Sequence, residues 1–251
     1  SFYKKIKIAH VEAGLRTENL YSPFPEEANR RLISQISDFH FAPTKLAEEN
    51  LIKSRVPGKI FLTGNTVIDA LLYVANKNKI DEDLIHNKMQ KIILVTIHRR
   101  ENWGSNIKNV CDGLKKLLDN YSDIQIILPM HPNKLVRDTI IDKLGVIDRV
   151  SLVEPLKYHE LIEILKVCYL VLTDSGGIQE EAPSLGKPVL VLRDNTERIE
   201  GIENGTAKLV GTRPNTIFKE VKLLIDNSDV YKKMSEAKNP YGDGKASEKI
   251  L

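Results

Sequence analysis

The sequence predicts an α/β protein in which parallel sheets are covered by helices on both faces and the chain is divided into two lobes. Three observations predict it. Short β-rich runs alternate with helix-period segments of about 10 to 15 residues. Several of the runs, such as IILVTI at 92–97 and YLVLTD at 169–174, are apolar on both faces, the pattern of doubly wound parallel sheets. The alternation is broken once, by the polar stretch Asn76 to Lys91, which reads as a linker.

The expected strands are Ile6–His10, Phe39–Ala42, Ile60–Thr63, Ile92–Ile97, Ile124–Pro129, Val150–Val153, Tyr169–Thr173 and Val189–Leu192. The expected helices are Glu26–Ile36, Thr44–Ser54, Asn106–Asn120, Lys134–Leu144, Lys157–Cys168, Ile178–Leu185 and Asn215–Asp226. The linker separates a first lobe, 1–76, from a second, 77–236. The second carries at least five of these strands and reads as whole. The first has three, short for a sheet covered on both faces, and reads as the trailing part of a domain. Residues 237–251, a Gly-rich turn and a short helical tail, are expected to cross back to the first lobe.

Composition bounds the function. The chain has 251 residues, 41% hydrophobic and 28% charged, with 37 Lys and Arg against 34 Asp and Glu interleaved along its length. No basic arm stands out for nucleic acid, and no apolar run reaches the length of a membrane span. The two cysteines, Cys111 and Cys168, have no paired or metal-binding spacing and read as buried thiols of a reducing compartment, so a cytoplasmic protein is expected. The histidines share no ligand spacing, and no metal is expected.

In open α/β sheets ligands lie beyond the carboxyl ends of the strands. Three loops at such ends are unusual: the one after 6–10, HRRENWG after 92–97, and DSGGIQEEAPSLGKP after 169–173. In the last, Asp174 and Ser175 can cap the following helix, while Gly176 and Gly177 leave its first N–H groups open, a geometry that cradles a diphosphate. Glu181, one turn deeper on the same face, can accept hydrogen bonds from ribose hydroxyls. Neither G-x-G-x-x-G nor a Walker A string occurs, so a dinucleotide or nucleoside triphosphate has no fingerprint here. His98 stands at a strand end beside Arg99 and Arg100, where an anion would explain all three. Glu12 follows the first strand, and Glu26 and Glu27 open a helix; adjacent helical positions diverge by about 100°, so one of that pair faces a cleft. Spacing leaves open whether Arg16, Arg30 and Arg31 make surface pairs or an anion-binding wall.

Taken together, HVEAGLRT at 10–17, YSPFPEEANRRL at 21–32, IHRREN at 97–102, TDSGGIQEEAPSLGKPVLVLRDNTER at 173–198 and NPYGDGKAS at 239–247 resemble the non-hydrolysing UDP-N-acetylglucosamine 2-epimerases, end to end. The resemblance implies two Rossmann-like lobes in a glycosyltransferase-B-like fold, with the nucleotide sugar in the cleft between them. It implies interconversion of UDP-N-acetylglucosamine and UDP-N-acetylmannosamine without a cofactor, by anti elimination of UDP to 2-acetamidoglucal and re-addition. Glu12 and Glu26 match acid/base carboxylates, and His98 a histidine on the diphosphate side. Ser175, Gly176 and Gly177 match the phosphate loop, Glu181 the ribose ligand, Arg198 a nucleotide contact, and Leu156 and Leu161 the loop around uracil. His131 resembles a cleft-lining histidine. A homodimer is implied as well.

The family pattern also has a Gly-Thr-Arg-Pro-Glu loop and a Gly-Asp-Thr segment with a catalytic aspartate. Neither stands ahead of HVEAGLRT in this sequence. Part of the first lobe is therefore expected to be missing, and the 251 residues to be inactive or nearly so alone. A non-catalytic UDP-sugar binder and a glycosyltransferase of the same architecture are the rival readings.

Overall fold

The computed structural model of the chain describes residues 1–17, 19–21, 24–77 and 91–251, which fall into two compact units, 1–73 with 239–251 and 74–238. Most of the 76–91 linker expected from the sequence lies outside the described residues.

The second unit holds the larger sheet. Its strands are β4 (Lys91–Thr96), β5 (Ile124–Pro129), β6 (Val150–Val153), β7 (Leu170–Thr173), β8 (Val189–Val191) and β9 (Ala207–Leu209). All are parallel, in the order β6-β5-β4-β7-β8-β9. The side-chain period of two sends Ile93 and Val95 to one face and Ile92 and Leu94 to the other, and both faces are buried. The first face packs on α4 (Ser105–Asn120), α5 (Lys134–Leu144) and α9 (Pro214–Asp226) through Leu114, Leu117, Ile140, Ile217 and Val221. The second packs on α6 (Tyr158–Val167) and α7 (Gly176–Ser184) through Ile164, Leu165, Ile178 and Ala182. Each fully buried Leu or Ile contributes about 1.5 to 3 kcal/mol of transfer free energy, which explains why a continuous apolar run settles as a central strand.

Strand order reverses between β4 and β7, whose ends are in register at Thr96 and Thr173. Ligands of open α/β sheets collect at such a reversal, because the loops leaving the two strands diverge to opposite faces. The loops that leave there begin at Ile97 and Asp174.

The first unit is a three-stranded parallel sheet, β1 (Ala9–Val11), β2 (Phe39–Ala42) and β3 (Lys59–Leu62), in sequence order. It carries α1 (Glu26–Ile36), α2 (Lys45–Lys53), most of α3 (Thr66–Lys77) and α11 (Ala246–Ile250). It buries a small apolar cluster, Ala13, Ala42, Ala47 and Leu51, with Val56 and Ile60 against them, and Ile68, Leu71, Tyr241 and Ala246 are buried as well. The C-terminal segment is held by defined bonds. Tyr241 O accepts from the Asn65 N–H at 2.7 Å, and the Asp69 carboxylate accepts from the N–H groups of Ala246 (3.0 Å) and Ser247 (2.8 Å).

Several elements depart from expectation. The first strand starts at Ala9 rather than Ile6, because the Ile8 N–H donates to the Asp38 carboxylate at 2.8 Å instead of to a ladder partner. α3 was not expected, although Ile68, Leu71 and Ala75 give it a buried stripe. The short strand β9, the five-residue α8 (Ile199–Glu203) and the surface helix α10 (Ser228–Ser235) carry too little periodic apolar sequence to announce themselves; α10 has no buried residue and starts because the Asn227 side chain accepts from the N–H groups of Asp229 and Val230. Both cysteines are buried, and burial pushes each thiol up to about 12. No described helix is long and apolar enough to cross a membrane.

Candidate active site

The turn between β7 and α7 is the centre of the candidate site, and it is built differently from its sequence reading. Neither Asp174 nor Ser175 caps α7 with its side chain. The Ser175 N–H donates to Thr173 Oγ1 at 2.9 Å, and α7 already begins at Gly176, two residues earlier than expected. The leading N–H groups of a helix have no partner within it, so α7 presents them uncapped by a side chain. Gly177 is exposed, and a Cβ there would meet only Glu181 Oε2 at 3.8 Å and Ser175 Oγ at 4.0 Å. That end of the helix is open to an anion, which its dipole favours.

Asp174 turns the other way. Its carboxylate is 0% exposed and accepts hydrogen bonds from the loop after β4. The His98 N–H approaches both oxygens at 3.1 Å, and the Arg99 N–H (2.9 Å) and Asn102 Nδ2 (2.9 Å) donate to Oδ2. Asn102 reaches on to Leu192 O at 3.2 Å, and Thr96 and Thr173 share a hydroxyl hydrogen bond of 2.6 Å. A buried carboxylate needs such donors, and here they come from one loop. Asp174 thereby ties the HRREN segment to the start of α7. The His98 side chain has Nε2 3.6 Å from Asp174 Oδ1 and is 45% exposed. Trp103 packs on the His131 ring at 5.8 Å between centroids.

Arginines line the same end. The Arg198 guanidinium lies against Gly176, 3.2 Å from the place of a Cβ, and bonds Glu180 (2.8 Å) and Glu197 (2.7 Å). Glu197 also holds Arg193 at 3.0 Å and lies 3.5 Å from Arg99. Burial would push its carboxyl up, yet Arg198, its own backbone, Arg193 and Arg99 outweigh that and bring it down to about 2. The cluster places permanent cations beside an uncapped helix start.

Glu181, 5% exposed, accepts from the Tyr158 hydroxyl at 2.7 Å. Burial pushes this carboxyl up, and the Tyr158 bond opposes the shift. Leu156 and Leu161 are partly buried and pack against the core beneath α6 and α7.

In the first unit, Glu12 follows β1 with φ +61°, a left-handed conformation uncommon outside glycine, and is exposed. Ala13 is buried behind it. Gly14, at φ +93°, passes so close to α2 that a Cβ would stand 2.1 Å from Ala47 O. The turn therefore fixes the backbone that displays Glu12. The pair opening α1 is divided. Glu27 is 0% exposed and accepts from the Thr17 N–H (3.0 Å) and Arg31 Nε (2.7 Å), whereas Glu26 is exposed. Arg16 bonds Ser34 Oγ at 2.7 Å, so it and Arg31 spend their donors within the unit. His10 is brought down to about 4, by burial first and then by His40, Arg16 and Arg30, and is neutral at pH 7. Among the described residues no group of three His, Cys, Asp or Glu side chains is arranged to hold a metal.

Sequence reading missed four residues of this site: Asp174 as the bridge to the HRREN loop, Asn102 as its donor, Glu197 as the arginine hub and Tyr158 as the partner of Glu181. For Asp174, Asn102 and Glu197 the only sequence signal was their position inside strings already singled out, and Tyr158 lies between Leu156 and Leu161.

Comparison with known proteins gives the family. The family model described as UDP-N-acetylglucosamine 2-epimerase matches residues 1–251. A UDP-N-acetylglucosamine 2-epimerase of Campylobacter jejuni is 50% identical over 267 residues, covering 100% of this chain and 69% of that protein. The crystal structure of the Neisseria meningitidis UDP-GlcNAc 2-epimerase bound to UDP-GlcNAc is 47% identical, with a TM-score of 0.92 over 99% of this chain and 70% of its own. The S. aureus MnaA–UDP co-structure is 48% identical, with a TM-score of 0.90 over 99% and 67%. With a family model matched over the whole of its length and relatives at this identity and coverage, the chain belongs to the UDP-N-acetylglucosamine 2-epimerase family.

Proposed function

We propose that this protein interconverts UDP-N-acetylglucosamine and UDP-N-acetylmannosamine, and that the second unit holds the UDP moiety. The diphosphate lies on the N-terminus of α7 at Ser175, Gly176 and Gly177, with Arg198 and His98 as its cationic and hydrogen-bonding neighbours. Glu181 takes the ribose hydroxyls, and Leu156 and Leu161 flank the uracil. Glu12 and Glu26 serve as acid and base on the hexose. The observation that carries this reading is the side-chain-uncapped start of α7 with Glu181 and Arg198 on either side. The relative of N. meningitidis, bound to UDP-GlcNAc, supports it.

The chemistry follows from the substrate. The C2 hydrogen of the hexose is not beside a carbonyl carbon, so removing and returning it directly meets a prohibitive barrier. Elimination avoids this: a carboxylate takes the C2 proton as the C1–O bond breaks, the electron pair leaves with UDP, and C1=C2 forms. The reverse addition delivers a proton to the other face of C2 while a diphosphate oxygen reattaches to C1. A positioned acid or base contributes about 10² to 10⁴-fold, and donors on the leaving diphosphate stabilise charge that develops only in the transition state.

The 251 residues carry two of the family's acid/base carboxylates but not the aspartate of its Gly-Asp-Thr segment, so we propose that by themselves they bind UDP and turn over little. A cytoplasmic homodimer is part of the same proposal, and sedimentation checks the dimer. The decisive experiment incubates the protein as its gene encodes it with UDP-N-acetylglucosamine in D₂O. Deuterium at C2 of both epimers is expected. Saturable UDP binding with no deuterium at C2 would replace this reading with that of a non-catalytic UDP-sugar binder.

A further inference from the structure

We propose that Tyr158 is a specificity-determining residue, which by holding Glu181 gives the protein its preference for a ribonucleotide over a 2′-deoxyribonucleotide. The inference rests on the reading of α7 as the UDP site and goes beyond it, because it assigns the discrimination to a pair rather than to the carboxylate alone.

Glu181 is an awkward ribose ligand without help. At 5% exposure, burial favours its protonated form, in which one oxygen becomes a donor and the group no longer offers two acceptors to a diol. The Tyr158 hydroxyl corrects this. It donates to Oε1 at 2.7 Å, favouring the ionised carboxylate and fixing the rotation of its plane. The other oxygen, Oε2, then lies 3.8 Å from the place of a Cβ on exposed Gly177, towards the uncapped start of α7. Burial, and then the neighbouring Glu181, push the Tyr158 phenol up, so it remains a donor through the neutral range.

Each carboxylate oxygen accepts more than one hydrogen bond, so Oε1 keeps a lone pair after serving Tyr158. A vicinal 2′,3′-diol can thus donate once to each oxygen, whereas a 2′-deoxyribose leaves one acceptor unmet in a nearly buried group. Sites that hydrogen-bond a hydroxyl reject the analogue that lacks it for this reason. Tyr158 reaches Glu181 from the first position of α6, 23 residues earlier in the chain, and its ring is 40% exposed. Its ring is therefore not a core element, and replacing it by phenylalanine removes the hydroxyl while keeping the shape.

The test is calorimetric titration of the 251-residue chain with UDP and with dUDP, for the unaltered chain, Tyr158→Phe, Glu181→Gln and the double variant. The unaltered chain is expected to prefer UDP by about tenfold or more. Tyr158→Phe is expected to weaken UDP about fivefold while leaving dUDP within about twofold. Glu181→Gln should abolish the preference, and the double variant should be no worse than Glu181→Gln alone, since the two residues act as one unit. If Tyr158→Phe weakens both nucleotides by the same factor, or keeps the preference intact while Glu181→Gln loses it, the assignment to Tyr158 fails and the ribose reading of Glu181 stands. If the unaltered chain shows no preference, the ribose reading fails and this proposal with it.

Discussion

The two units of this chain use the same local grammar, a parallel strand followed by a helix, and end with different physical resources. The second unit buries both faces of a six-stranded sheet, and the polar groups at its candidate site are themselves interior: Asp174 at 0% exposure with its donors from one loop, Glu197 among three arginines, Glu181 under Tyr158. In the first unit the buried cluster named above is small, and the two candidate carboxylates, Glu12 and Glu26, are exposed in these 251 residues. The difference teaches where preorganisation comes from. Groups that must hold a fixed charge are locked by buried hydrogen bonds, whereas Glu12 is aimed by a left-handed backbone turn.

The largest effect expected from this contrast is in local stability. In the 251-residue chain, hydrogen exchange should show the amides of β4, β5 and β7 protected about a thousandfold more than those of β1 to β3, because opening the first unit of these residues exposes far less apolar surface. Equal protection would mean that the two units unfold as one.

Next comes a matched pair of carboxylates. Asp174→Asn faces loop N–H donors with an amide in place of an acceptor oxygen and should cost about 2 to 4 kcal/mol by urea unfolding. Glu27→Gln, also fully buried, keeps an oxygen for the Thr17 N–H and should cost about 1 kcal/mol. A reversed order would show that the loop tie at Asp174 is not the stronger device.

Acid should separate the units more gently. His10 has its folded value lowered from 6.5 to about 4, so the unfolded chain takes up its proton first, and the first unit loses stability as pH falls from 6.5 through 4. Glu197 is lowered from 4.5 to about 2, so its contribution to the second unit is present above 4.5 and is lost only as pH falls from 4.5 through 2. Residue-resolved exchange against pH should therefore show β1 and β2 opening before β7 and β8. A His10→Gln variant should delay the first of these transitions.

The smallest change in stability should come from Gly177→Ala. A Cβ there meets nothing closer than 3.8 Å, so the helix should gain up to about 1 kcal/mol. The same Cβ would stand where the diphosphate is proposed to lie, so UDP binding should weaken while the melting temperature holds or rises.

The sheets were legible because short runs that are apolar on both faces bury both only between helices, and IILVTI and YLVLTD carry that signal. The turn at 174–177 was legible because strand, acid, serine and paired glycines occur in one string. What escaped was set by distance along the chain. Asp174 looks like any helix cap until the loop 72 to 76 residues earlier is brought against it. Glu26 and Glu27 are equivalent in sequence, and only the Thr17 N–H and Arg31, placed by the fold, decide which is interior. Tyr158 gave no periodic signal, since its role depends on the pairing of α6 with α7.

In the proposed function the diphosphate of UDP sits on the start of α7. Titrating UDP into the ¹⁵N-labelled protein and following backbone amides by NMR tests it most directly. Ser175, Gly176, Gly177 and Ile178 are expected to shift furthest, with His98 and Arg99 close behind. Saturable UDP binding that left those amides in place and moved another group of residues would contradict it.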